Sequence, residues 1–172
     1  HRAEKWWQFG SRAPALYSAI KDKEKVMVIG FTSKTFAFSF KEIDIVFDVG
    51  VIVINSDEYN VFSLLQSNLH YYWSWKYSST MGDNRLRYTA TNCIEKFPFP
   101  IITDAKLKGR LEKLGEEYHA FRSKLMVNLQ LGLTATYNLY HNPKFNYENK
   151  NNLKLFKDIK EENLRISIDQ TI

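Results

Sequence analysis

Arg85 and Arg87 stand two positions apart in the run RLRYTATNCI, residues 85–94. In an extended strand that spacing puts both on one face and Tyr88 on the other. Two guanidinium groups side by side repel unless an anion, or a row of acceptors, lies between them. Arginine is also the side chain best matched to guanine's major-groove edge and to phosphate oxygens. Contact with DNA is the chemistry the pair suggests; the competing reading is surface pairing with Asp83 or Glu95. Lys34, beside Thr32 and Ser33, falls at an expected hairpin tip, where a cation and two hydroxyls suit entry into a groove. An ordinary exposed turn lysine is an equal reading. Lys76 reaches phosphate from a helix end, or is simply solvated. Trp6, Trp7 and Phe9, near Lys5 and Arg12, suit stacking on bases, although a structural plug is the preferred reading.

Autonomous catalysis finds less support. The chain has no G-x-G-x-x-G, no phosphate-binding Walker loop and no H-E-x-x-H. Its four histidines are scattered and Cys93 is its single cysteine, too few for a zinc site or a disulfide framework. One cysteine fits a reducing compartment, the cytoplasm. DVGVIVINSDE (48–58) sets acids near a strand, as nucleases do to hold magnesium. No catalytic lysine follows at short spacing, so Asp57 and Glu58 read better as acids at a helix start. His70 reads as a packing histidine. Neither a cofactor nor a metal is expected within these residues.

Aromatic residues make up 15% of the 172 positions, ample for a packed core. The net charge of +5 favours a polyanionic partner. It is unevenly spread: residues 1–35 hold seven Lys/Arg against three Asp/Glu, residues 36–60 one against five. No apolar run reaches the roughly 18 residues of a membrane span. The chain opens on His1, and the expectation is a piece of a longer protein.

The elements that must position these residues follow from periodicity. Residues 12–23 suit a short helix, with Leu16, Ala19 and Ile20 on one face and Ser11 as its cap. KVMVIGF (25–31) and TFAFSF (35–40) suit a hairpin around the turn 32–34, with Phe36, Phe38 and Phe40 facing one way. Residues 43–55 offer one or two more strands, with Gly50 at a bend. A long helix then runs from a Ser56 or Asp57 cap, with Val61, Leu65, Leu69 and Tyr72 as its apolar stripe. After a loop at 79–84 comes a last strand, 85–94, closed by Phe97–Pro100, because proline cannot donate to a ladder. Leu107, Leu111, Leu114, Tyr118, Phe121 and Leu125 form a heptad-like seam, read as a helix packed on a neighbour. Turns follow at Gly132, Asn142 and Pro143, and a final helix at 149–168. The expected fold is α+β: a small, mostly antiparallel sheet with flanking helices (1–100), followed by a helical part (101–172).

Residues 60–170 carry a resemblance. Ser67, His70 and Trp73 on a helix, Arg87-Tyr88 on a strand, and the exit Phe97–Pro100 occur in that order. Leu133, Thr134, Tyr137 and Asn138, then LKLFKDIKEENLRISID ending at Asp169, complete it. This resembles the target-recognition domain of type IIG restriction–modification enzymes, the MmeI-like family of adenine methyltransferases. Residues 1–58 fit by layout only. The tail departs from the family, stopping at Ile172 without the final aromatic stretch. The resemblance implies a DNA-reading fragment of a bacterial defence enzyme, braced against a methyltransferase core of the same polypeptide. That parent uses S-adenosylmethionine to methylate adenine N6, through an Asn-Pro-Pro-Tyr motif absent here, and often carries a magnesium-dependent nuclease. A recognition domain must vary where it reads bases. Arg87, part of the shared pattern, is therefore expected to grip the backbone or hold the strand, while Arg85, Asn84 and Thr89 discriminate. The expected DNA-binding set is Arg85, Arg87, Asn84, Thr89, Lys76, Lys34, Ser33 and Arg12.

Three rivals remain. A type I restriction specificity-subunit half would use the Leu107–Leu125 seam to dimerise. A protein-interaction module would present the aromatics to a partner without binding DNA. A lone enzyme would require metal-dependent cleavage by these residues themselves.

Overall fold

The computed structural model describes residues 13–82 and 85–141. Ser11 and the expected final helix at 149–168 lie outside them. The architecture is mixed α+β, with two three-stranded antiparallel sheets and helices that include a long C-terminal one.

Helix α1 (Pro14–Ile20) opens with proline in its first turn, after Ala13 in the left-handed region at φ 43°. Proline's fixed φ and missing N–H suit a helix start. The first sheet places β1 (Lys25–Gly30) between β3 (Ser39–Glu42) and β4 (Val51–Ile54). Its registers run Lys25↔Glu42 to Val28↔Ser39, and Met27↔Ile54 to Gly30↔Val51. Strand β1 is buried on both faces. Val26 and Val28 pack with Ile20 against Leu16, Tyr17 and Phe47. Met27 and Ile29 face the main core of Phe38, Phe62, Leu65, Leu86, Tyr88 and Cys93. That two-sided burial is why VMVI reads as an unbroken apolar run.

The expected hairpin holds in part: β1 and β3 pair antiparallel, but β3 begins only at Ser39 and the connection is not a simple turn at 32–34. Between β1 and β3 the chain makes β2 (Thr32–Ser33), which belongs to the second sheet. Phe31 is the junction: its N–H donates to Gly50 O at 2.8 Å, and its carbonyl accepts from Tyr88 N at 2.8 Å. Residues 36–38 are irregular, and Ala37 is buried along with Phe38. The alternation in TFAFSF therefore does not report a one-faced strand.

The expected single long helix is two. Helix α2 (Tyr59–Gln66) ends at Ser67, whose backbone is extended (φ −69°, ψ 158°), and α3 (Asn68–Tyr77) begins there. Ser67 Oγ donates to Leu64 O at 2.6 Å and accepts from His70 N at 3.4 Å. One serine thus closes a helix and caps the next. The break rotates the apolar stripe, so Leu69 and Tyr72 are exposed.

The loop expected at 79–84 contains β5 (Ser79–Met81), and the last strand, β6, is shorter than 85–94, covering Arg85–Arg87. The second sheet runs β2-β6-β5. Residues 90–94 form a wide π-helical turn that buries Cys93. Phe97 anchors the exit under His70, with ring centroids 4.5 Å apart, while Phe99 is exposed.

Helix α4 (Ala105–Leu129) is capped by Asp104, which accepts from Lys106 N at 2.8 Å. It packs along α2, and its buried positions are Gly115, Arg122, Leu125 and Leu129. The expected seam is therefore only partly the contact face: Leu107 is exposed. Helix α5 (Leu133–Tyr140) folds back after it. No described helix is long and apolar enough to cross a membrane.

Candidate nucleic-acid interface

Strand β6 separates its side chains by period. Arg85 and Arg87 are exposed, and Leu86 between them is buried in the core. The register fixes their neighbours: Arg87 lies between Ser79 of β5 and Thr32 of β2, and Arg85 lies opposite Met81. Partners in an antiparallel pair share a face. The outer face of this sheet therefore presents Ser79, Arg87 and Thr32 in one row and Met81 with Arg85 in the next. Lys34, exposed, follows Ser33, whose partner is Leu86. Lys76, also exposed, lies at the end of α3 just before β5, its Nζ 5.5 Å from the Tyr77 ring centre.

The two arginines differ in support. The Arg87 guanidinium carbon sits 5.1 Å from the Phe31 ring centre, and its carbonyl accepts from Ser78 Oγ. The Arg85 side chain makes no hydrogen bond or ion pair with a described residue, Glu95 included. Across residues 61–94 the sequence holds one acid, Asp83, which lies outside the described residues together with Asn84 and Arg12. Ser33 and Thr89 do not join the exposed face. Ser33 Oγ accepts from Thr35 N at 2.9 Å, a turn-forming bond. Thr89 Oγ1 is buried, and its carbonyl receives Cys93 N.

Behind the sheet, His70 and Tyr88 hold the strand to α3. His70 Nε2 and the Tyr88 hydroxyl share a hydrogen bond at 2.9 Å, and both side chains are fully buried. Burial pushes the His70 pKa down from 6.5 to about 4 and the Tyr88 pKa upward. Both are neutral at pH 7. His70 is thus a packing histidine in a ring of Phe36, Phe38, Tyr88 and Phe97.

Two residues that periodicity did not single out turn out to organise the fold. Glu112 of α4 reaches the start of α2, whose N-cap residue Glu58 makes no side-chain cap bond. It accepts from Tyr59 N at 3.3 Å, Asn60 N at 2.7 Å and Asn60 Nδ2 at 2.8 Å. Asp57 instead pairs with Lys23 at 2.6 Å, which holds its carboxyl below the usual range. Arg122, also of α4, donates to the carbonyl of Phe38. Its place among Tyr118, Leu125 and Leu129, at helical spacing, was the available signal that it points inward.

Among the described residues no three His, Cys, Asp or Glu side chains gather as a metal site would require. Comparison with protein-family models, with curated proteins and with solved structures yields no match to this chain.

Proposed function

We propose that this chain reads duplex DNA as the target-recognition part of a restriction–modification enzyme of the MmeI-like kind, working in the bacterial cytoplasm. One observation carries the reading: Arg85 and Arg87 emerge together from one exposed sheet face, with Leu86 fastened beneath them. A short strand pinned by its middle residue holds two cations at fixed separation. That suits the regular spacing of acceptors along a groove. Lys34 and Lys76 add positive charge on the flanks. Arg87, braced on Phe31, is assigned to the backbone. Arg85, without a described polar partner, is assigned to a base edge. Adenine methylation with S-adenosylmethionine, and any cleavage, belong to a methyltransferase core outside these residues. The engagement of α4 with α2 supports a brace within one chain over the dimerising helix of a type I specificity subunit.

The test is site selection from a randomised duplex library, followed by binding at several salt concentrations. A recovered consensus is expected, with affinity that falls as salt rises by a log–log slope of about −0.9 per phosphate contacted. Recovery of unenriched sequence at every salt concentration would refute the reading.

A further inference from the structure

A cleft of about 530 Å³ opens between α2, α4, α5 and the segment 34–36. Its size lies within the roughly 300–1,000 Å³ of small-molecule sites. Aromatic side chains, including Phe36, Tyr71, Phe121 and Tyr137, form much of its wall, and among the described residues no aspartate or glutamate lines it. Lys34 stands at its edge, and Arg122 is in its wall.

Arg122 is the unusual group. It is 5% exposed, yet none of the ion pairs among the described residues involves it. Besides Phe38 O, it donates to the Tyr137 hydroxyl at 3.3 Å and to Gln66 Oε1 at 3.5 Å. Its guanidinium carbon lies 5.4 Å from the Tyr118 ring centre and 5.5 Å from that of Phe62. These partners are all neutral. Burial and the neighbouring Tyr137 push the Tyr118 pKa up, so no phenolate there offsets the charge. A buried cation held only by neutral acceptors and ring faces keeps a strong attraction for an anion that reaches it.

We propose that this cleft binds a small organic anion: a flat aromatic ring carrying one carboxylate or phosphate. The acidic group pairs with Arg122, and the ring stacks among the aromatic walls. This site shares Lys34 with the flank of the β6 face, but its anion-binding group is Arg122 and it does not depend on DNA reading.

The test uses the full chain and three probes of one shape: 2-naphthoate, 2-naphthyl phosphate and uncharged 2-naphthamide, titrated by calorimetry. Saturable binding of an acid, about tenfold or more tighter than the amide, is expected, as a charge-assisted hydrogen bond contributes that much. Whichever acid binds more tightly identifies the headgroup. Asn138→Trp, at an exposed position of α5 that lines the cleft, should abolish binding by filling it. Arg122→Met should remove the preference for acids; if that variant fails to fold, Asn138→Trp decides. The proposal is overturned if the unaltered chain binds neither acid saturably or the amide binds as well. Unchanged binding in Asn138→Trp would overturn it too, by placing the anion elsewhere.

Discussion

His70 and Tyr88 meet 2.9 Å apart beneath the exposed sheet, one from α3 and one from the residue after β6. Their bond ties the strand that carries the arginines to the helix behind it. The burial of His70 also makes the fold sensitive to acid. In the unfolded chain His70 takes up a proton near pH 6.5, but in the folded chain only near pH 4. Between those values the unfolded state binds more protons, so stability falls as pH falls. His119, lowered by burial and by Arg122 and Lys25, acts in the same direction. The His70 contribution is at most about 3 kcal/mol. Urea midpoints across this window should drop in the parent and drop less in His70→Gln. A flat profile in the parent would contradict the neutral, buried histidine.

Gly115 and Gly109 lie on the same helix and should respond oppositely to alanine. A Cβ at Gly115 would come within 2.3 Å of Tyr59 O and 2.6 Å of Ser63 Oγ, while at Gly109 it meets nothing within 4 Å. Gly115→Ala should cost about 1–3 kcal/mol through overpacking. Gly109→Ala should gain about 0.5–1 kcal/mol through helix propensity. Thermal unfolding of both variants gives the answer; equal shifts would mean that α4 and α2 do not approach so closely.

Glu112 caps a helix to which it does not belong. Glu112→Ala removes acceptors from Tyr59 N and Asn60 N and should destabilise by about 1–3 kcal/mol. Glu112→Gln, which keeps an acceptor oxygen, should lose less. Chemical denaturation of the two variants ranks them, and a neutral Glu112→Ala would show that solvent satisfies those amides equally well.

For the proposed DNA reading, Arg85→Ala should weaken specific binding by about 1–3 kcal/mol and relax one base position. Arg87→Ala should weaken binding to all duplexes alike and reduce the salt slope by about one. Competition shift assays against single-base variants separate the two outcomes; unchanged discrimination in Arg85→Ala removes the assignment of a base edge.

Much of the framework was legible because it is local. The apolar run of β1 and the arginine alternation of β6 follow from period, whereas the strand expected to run on to the prolines at 98 and 100 already ends at Arg87. What escaped depended on distant partners or on caps hidden inside a good helical pattern. Ser67 breaks a run whose periodicity continues through it. Strand β2 has two residues and exists because Thr32 and Ser33 meet Arg87 and Leu86 from far along the chain. The chain leaves the ladder after Tyr88, whose N–H still reaches Phe31 O while its hydroxyl reaches His70, and turns into residues 90–94. Glu112 and Arg122 look like ordinary charged residues of an exposed helix until α2 and residues 36–38 are packed against them.

The single-residue junction at Phe31 sets an order of assembly. Strands β5 and β6 adjoin in the chain, so their hairpin closes early, whereas the third strand arrives only after a long loop has closed. That strand is tethered through the single residue Phe31 to β1, so its docking is expected to follow formation of the first sheet. In refolding followed by pulsed hydrogen exchange, the amides of Met27 and Ile29 should gain protection before that of Tyr88, whose acceptor is Phe31 itself.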